Sequence, residues 1–402
     1  MTDNLFDVFT DRSDCHSAKW AITRKYGKDM ISMSVADMDL PAPQMLINYL
    51  AKQNRTGIYG YTVLPDNYHN IVRRYLLRHY QYEIANEYII FCPRIIQAIS
   101  IYIKEFTFPT ESIAILTPSY APIVNAILLN KRTVESCALI YQAGKYTIDF
   151  SQLEKCFQIA KTFILISPHN PTGTVWSHRD LQRIATLAEK YGVFILSDDV
   201  HADFDFSGSK HIIISAISSY VEKHSIICTS PAKTFNIPGL EISNLLICNK
   251  NVRDKFQGHM QALGMHNPNF FSIPALQIAY QYCDDWLDEL RDYIFHNKLI
   301  VKNFFTQEIP QLEMINSEGT YLIWVNYSKL QISEEKLRHW FLDLSRIEVS
   351  WGSDFGKEGL SFFRMNVAMP RALLKESLER MKQGLALLMQ EELNCKRVKL
   401  FA

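Results

Sequence analysis

Residues 225–248 read SIICTSPAKTFNIPGLEISNLLIC. The two ends, "SIIC" (225–228) and "NLLIC" (244–248), are short apolar runs of the kind that form buried strands. Between them a polar turn, 229–240, presents one lysine, Lys233. In open α/β sheets ligands bind at the strand ends, so a lysine there is a candidate for imine chemistry. A solvated loop lysine is the plain alternative, since most lysines are exposed. The choice depends on what the rest of the chain brings to the same edge.

Outward from this stretch, "SIAIL" (112–116), "KTFILIS" (161–167) and "GVFILS" (192–197) are further apolar runs that end in polar or turn-forming residues. Such runs read as strands of a mostly parallel sheet. Between two of them Ser177 and Asp180 form a capping-box pattern, and Leu181, Ile184, Leu187, Ala188 and Tyr191 fall on one helical face. The result is a strand–helix–strand unit. Near the C-terminus Leu374, Leu378, Met381, Leu385 and Leu388 form another helical stripe, preceded by strand-like "YLIWV" (321–325) and "LSFFRMNV" (360–367). This pattern predicts a smaller α+β domain. The expected division is an N-terminal arm and part of the small domain in 1–45, a large domain in 46–285 and a C-terminal small domain in 286–402.

Composition bounds the function. With 402 residues, zero formal net charge and 48% hydrophobic residues, the chain reads as a globular protein with a large core. Its charges are dispersed, with no basic stripe that would suit nucleic acid. The N-terminus lacks a basic segment followed by an apolar run, and no apolar stretch is long enough for a bilayer, so the expectation is a cytoplasmic protein without a membrane partner. The eight cysteines include no CxxC pair and several lie in apolar runs, as reduced buried thiols do. No metal site is expected.

Chemistry concentrates after the middle strands. "FILIS" is followed by Pro168-His-Asn-Pro-Thr-Gly173, and "VFILS" by Asp198, Asp199 and then His201. Parallel strands share one crevice at their carboxyl ends, which would bring Asn170, Asp198 and Lys233 together. A lysine for an imine, a carboxylate for a protonated ring nitrogen and an amide for a phenolate oxygen are the parts a pyridoxal phosphate site needs. Taken singly, Asn-Pro is an ordinary turn and a strand-end Asp an ordinary helix cap.

At these residues the chain resembles the fold-type I pyridoxal phosphate enzymes of the aminotransferase class I/II superfamily, and within it the MalY/PatB-like carbon–sulfur β-lyases. The resemblance rests on "VADMDLP" (35–41), "GIYGYT" (57–62), "TPSYAP" (117–122), "SPHNPTGTVW" (167–176), "SDDVHADF" (197–204), "SPAKTFNIPGL" (230–240), "EGTYLIWV" (318–325) and "FFRMNVAMPR" (362–371). These segments follow family order over almost the whole chain. The resemblance implies an α/β large domain with a mostly parallel seven-stranded sheet, a smaller α+β domain, and a homodimer acting on a small amino-acid substrate.

Carried over residue by residue, it implies that Lys233 holds pyridoxal 5'-phosphate and removes the Cα proton. Asp198 pairs with the ring nitrogen, Asn170 and His201 face the ring's 3-oxygen, and Tyr120 stacks on the ring. A purely structural hydrogen bond is the alternative for His201, and an ordinary core aromatic for Tyr120. The phosphate falls to the backbone of Ile95 and Ile96, to Ser230 and to a Tyr61 from the neighbouring subunit; Tyr61 packed inside its own chain is the alternative. Arg364 takes the substrate carboxylate with Asn170 and the backbone near Ala36, unless it serves a structural salt bridge, and Tyr321 walls the side-chain pocket. Four positions depart from the pattern. Arg94 stands where many relatives have glycine or serine, and Glu241 where aminotransferases often have a phosphate-binding arginine. Ala121 and Ser34 replace a tyrosine and a tryptophan common in close relatives, which implies a roomier pocket. The activity implied is β-elimination of a thiol from cystathionine or a cysteine conjugate, with transamination as the alternative enzyme reading. A cofactor-poor regulatory or binding protein is the alternative of another class.

Overall fold

The computed structural model of the chain describes residues 5–265 and 267–401, with side chains described up to residue 394. Cys395 therefore lies outside the described side chains. The chain divides into two compact units, one formed by Ala42–Arg291 with Ser317–Thr320, the other by Met1–Pro41, Asp292–Asn316 and Tyr321–Ala402.

The first unit is built on a seven-stranded sheet. Its strands are β1 (Ile89–Cys92), β2 (Ser112–Thr117), β3 (Thr133–Ala138), β4 (Thr162–Ile166), β5 (Phe194–Asp198), β6 (Ser225–Thr229) and β7 (Ser243–Leu246). The spatial order is β1-β7-β6-β5-β4-β2-β3. Neighbours are parallel from β6 through β3, while β7 runs antiparallel to both β1 and β6. Strands β4 and β6 are buried at every position, which is why they read as unbroken apolar runs rather than alternating ones. The short strands of "SIIC" and "NLLIC" are thus β6 and β7, an antiparallel pair in an otherwise mostly parallel sheet.

The helix His178–Tyr191 between β4 and β5 starts at Ser177, whose side chain and that of Asp180 complete a reciprocal capping box. Its buried face is Leu181, Ile184, Ala185 and Ala188, with Leu187 and Tyr191 only half-buried. The core face is therefore rotated by part of a turn from the one predicted, with Ala185 in it in place of Leu187 and Tyr191.

The second unit carries a four-stranded antiparallel sheet of β8 (Glu313–Met314), β9 (Leu322–Asn326), β10 (Ser350–Trp351) and β11 (Phe362–Asn366), in the order β8-β9-β11-β10. The C-terminal helix Arg371–Phe401 buries Leu374, Leu378, Met381 and Leu388 in the same core as Ile323, Val325, Phe363 and Met365; Leu385 packs at its margin. A charged cluster holds the N-terminal segment of this unit. Asp39 accepts from Lys19 Nζ (2.6 Å), Arg12 Nη2 (2.6 Å) and Trp20 Nε1 (2.8 Å), and Lys19 is fully buried. No described helix is long and apolar enough to cross a membrane.

Candidate functional site

Sheet register assembles the site in the first unit. Ile166, Asp198 and Cys228 stand abreast on β4, β5 and β6, so the residues that follow each strand emerge side by side. They are the turn with Asn170, the segment Asp198–His201 and the turn with Lys233. Backbone bonds continue the alignment past the strands, from Ser167 N to Asp198 O (3.0 Å) and from Asp199 N to Cys228 O (2.9 Å). Lys233 sits half-buried on the short helix Pro231–Thr234, whose first turn is capped by Ser230. Asn170 and His201 are buried. Tyr120 follows β2 and caps the helix Ala121–Leu129, where it packs against the core of the sheet.

Asp198 is the electrostatic centre of this edge. Burial pushes its pKa up from 3.8 to about 7, with the neighbouring charge of Asp199 in the same direction. The N–H of Val200 (3.2 Å) and the charge of Lys233 pull the other way without restoring it. A cation at this carboxyl would do so. Asp199 is a different kind of residue: it is held by the Ser197 hydroxyl and by His211 Nε2 at 2.6 Å, all buried, and is structural.

Asp203, which carried no assignment from sequence, ties Lys233 to the scaffold. This buried carboxylate accepts from the hydroxyls of Tyr75 (2.9 Å), Tyr80 (2.7 Å) and Thr234 (2.5 Å). Burial and the Asp203 charge hold both tyrosines well above their ordinary pKa, so they stay donors. Thr234 adjoins Lys233, and the bond links the lysine's helix to the helix Tyr68–Tyr80. The sequence signal was the third acid of "SDDVHADF", but its tyrosine partners lie more than 120 residues upstream.

Two motif glycines explain the close approach of two turns. Gly173, at φ +67, would bring a Cβ to 2.7 Å from Ser317 Cβ, and Gly319 would bring one to 2.6 Å from Pro168 Cβ. The Gly319 N–H instead bonds the Gly173 carbonyl at 2.8 Å, fastening the turn that carries Asn170.

At the other side of β6, Cys92, Ser243 and Thr229 mark where β1, β7 and β6 meet. Here the helix Ile95–Phe106 begins with Arg94 as its N-cap and no side-chain cap, so the N–H groups of Ile95 and Ile96 have no acceptor within the helix. Such a terminus favours an anion. Ser230 shares the corner, yet its hydroxyl donates to Ile242 O (2.5 Å) and accepts from Ala232 N (3.0 Å). To donate to a phosphate it must turn from Ile242. Arg94 and Glu241 form an ion pair with each other, Glu241 lying in left-handed backbone at φ +53. The two departures from the family pattern are thus one feature, a cation and the carboxylate that holds it.

Tyr61 is fully exposed, on a loop that also exposes Ile58, Tyr59 and Val63, so it does not pack inside its own chain.

In the second unit Arg364 lies buried on β11, opposite Trp324 of β9 and Ser350 of β10. Its Nη2 donates to Ser350 Oγ (3.0 Å) and Ser34 O (3.5 Å), and the guanidinium lies over the Phe355 ring, 4.9 Å from its centroid. Tyr321 is fully buried and donates to Ala36 O (3.1 Å). Asn366 Nδ2 donates to the carbonyls of Val35 (2.8 Å) and Asp37 (2.7 Å), which fixes the backbone of the "VADMD" segment around Ala36.

Comparisons with known proteins agree on the relationship. Residues 28–381 match the model of the family "Aminotransferase class I and II". Cystathionine beta-lyase PatB of Bacillus subtilis is 32% identical over 385 residues, covering 95% of this chain and all of that protein. Among solved structures, cystalysin from Treponema denticola, which contains pyridoxal 5'-phosphate, superposes with a TM-score of 0.92 at 32% identity over 95% of this chain and 99% of its own. The pyridoxal phosphate-bound C–S lyase from Staphylococcus hominis does so with a TM-score of 0.89 at 28% identity, over 96% and 98% of the two chains. The chain belongs to the aminotransferase class I and II family.

Proposed function

We propose that the chain is a pyridoxal phosphate-dependent carbon–sulfur β-lyase, which converts cystathionine or another cysteine S-conjugate and water to a thiol, pyruvate and ammonia. The observation that carries this reading is the register of β4, β5 and β6, which sets Asn170, Asp198 and Lys233 at one sheet edge, with Asp198 within the field of Lys233. The cofactor fits these residues. A protonated ring nitrogen gives Asp198 the counter-charge that returns it to a carboxylate. When bound, pyridoxal phosphate supplies a ring that withdraws electrons from the substrate Cα.

The chain's own groups do the rest. Lys233 would hold the cofactor, and its amine would serve as the base for the substrate Cα proton. Asn170 and His201 would hold the ring's 3-oxygen, and Tyr120 would pack on the ring. The N–H groups of Ile95 and Ile96, with Ser230 and the partner subunit's Tyr61, bind the phosphate. Arg364, with the backbone at Ala36, would receive the substrate carboxylate, and Tyr321 would wall the side chain. The exposed aromatic loop around Tyr61 supports a homodimer. The described cysteines are free thiols, which supports a reducing, cytoplasmic setting.

The same residues serve transamination, so the test reads products. L-cystathionine and S-alkyl cysteines are incubated with the holoenzyme, and pyruvate and thiol are measured with no keto acid added. Equal release of both is the expected result. Turnover that appears only when an amino acceptor is supplied makes the chain an aminotransferase instead.

A further inference from the structure

Ser34 is contacted from another strand. The short strand Ile31–Ser32 runs parallel to Ile347–Glu348, with Ser32 opposite Glu348. Ser32 and Ser34, both buried, donate their hydroxyls to the same oxygen, Glu348 Oε2, at 2.9 Å each, and lie 3.0 Å from one another. Glu348 is half-buried. Among the described residues it has no cation in salt-bridge range, and its other oxygen, Oε1, accepts no hydrogen bond. The two hydroxyls orient this carboxylate without neutralising it.

The carboxylate stands near Arg364. Ser34 links the two, its carbonyl accepting from the guanidinium while its hydroxyl donates to Glu348. Ser350, which also accepts from Arg364, is two residues beyond Glu348 in extended chain and so projects to the same face. At roughly 3.3 Å per residue the two positions are about 7 Å apart. Glu348 and Ser350, the partner of Arg364, are thus one strand repeat apart on one face.

We propose that Glu348, presented by Ser32 and Ser34, determines side-chain specificity by pairing with an ammonium at the end of the substrate's side chain or leaving thiol. This inference rests on the reading of Arg364 as the carboxylate site. A substrate with both charges satisfies Arg364 and Glu348 together. A neutral side chain covers Glu348 without a counter-charge, and an anionic one is repelled.

The test uses the holoenzyme and amino acids that lack a leaving group, with dissociation constants read from the shift of the cofactor's visible band. L-lysine is L-norleucine with an ammonium in place of one hydrogen of its terminal methyl. Wild type binds lysine at least about tenfold more tightly than norleucine. In Glu348→Gln, which keeps an acceptor for both serines, the ratio falls to about one. Equal affinities in wild type, or an unchanged ratio in Glu348→Gln, overturn the proposal. The Arg364 reading is scored separately, by the preference of wild type and of Arg364→Lys for norleucine over 1-aminopentane, which has no carboxylate. Loss of the lysine preference with the carboxylate preference intact condemns Glu348 alone.

Discussion

Asp198 is defined by what surrounds it. Its pKa of about 7 means that the folded chain without cofactor binds a proton that the unfolded chain releases near 4. The sign follows: the contribution to stability is present at low pH and is lost as pH rises from about 4 through about 7. The cofactor-free protein should therefore melt at progressively lower temperature across that window, and Asp198→Asn should flatten the decline. Added pyridoxal phosphate should flatten it too, since a cationic ring nitrogen lowers the pKa. Scanning fluorimetry at several pH values reads this, and an equal decline in wild type and variant would refute the electrostatic account. Residues such as Lys233, Asp198 and Asn170 were legible in the sequence because each follows an apolar strand and carries a side chain with distinctive chemistry. Asp203, Asp39 and Glu348 were not, because their roles come from partners that only the fold brings to them. A Glu at 348 carries no sign that two serines more than 300 residues earlier donate to it.

At the level of elements, the helix that carries Lys233 is too short to hold itself, having one turn from Pro231 to Thr234. It is fixed by the Ser230 cap at its start and by the Thr234–Asp203 bond at its end. Removing the Asp203 carboxylate leaves the buried hydroxyls of Tyr75, Tyr80 and Thr234 without their acceptor. Asp203→Ala should accordingly cost about 3 kcal/mol or more in urea unfolding, whereas Tyr80→Phe, which deletes one donor, should cost about 1 kcal/mol. Similar costs for the two variants would mean that Asp203 is not the hub. The strands were easy to place from sequence because a parallel sheet buries both faces and needs continuous apolar runs. The helix face at Ala185 was harder: alanine suits a helix surface and a tight helix–sheet contact equally well.

For the whole molecule, the sheet order determines which distant segments meet, and the chain order alone does not. β1 reaches the same edge as β6 only because β7 is inserted antiparallel between them. That insertion is what sets Arg94 beside Glu241. The exposed loop around Tyr61 makes a further prediction at this scale. If the partner subunit's Tyr61 completes the phosphate site, a mixture of Tyr61→Ala and Lys233→Ala subunits should recover up to about a quarter of wild-type activity, since each mixed dimer then has one complete site. Activity no greater than the sum of the separate variants, or an active monomer by light scattering, would rule out the shared site. Above all of these stands the claim that one lysine on the turn between β6 and β7 carries the cofactor. Reducing the holoenzyme with borohydride, digesting it and locating the phosphopyridoxyl group by mass spectrometry tests that claim most directly. The account predicts the label on Lys233; a label on another lysine, or none in a protein saturated with pyridoxal phosphate, would contradict it.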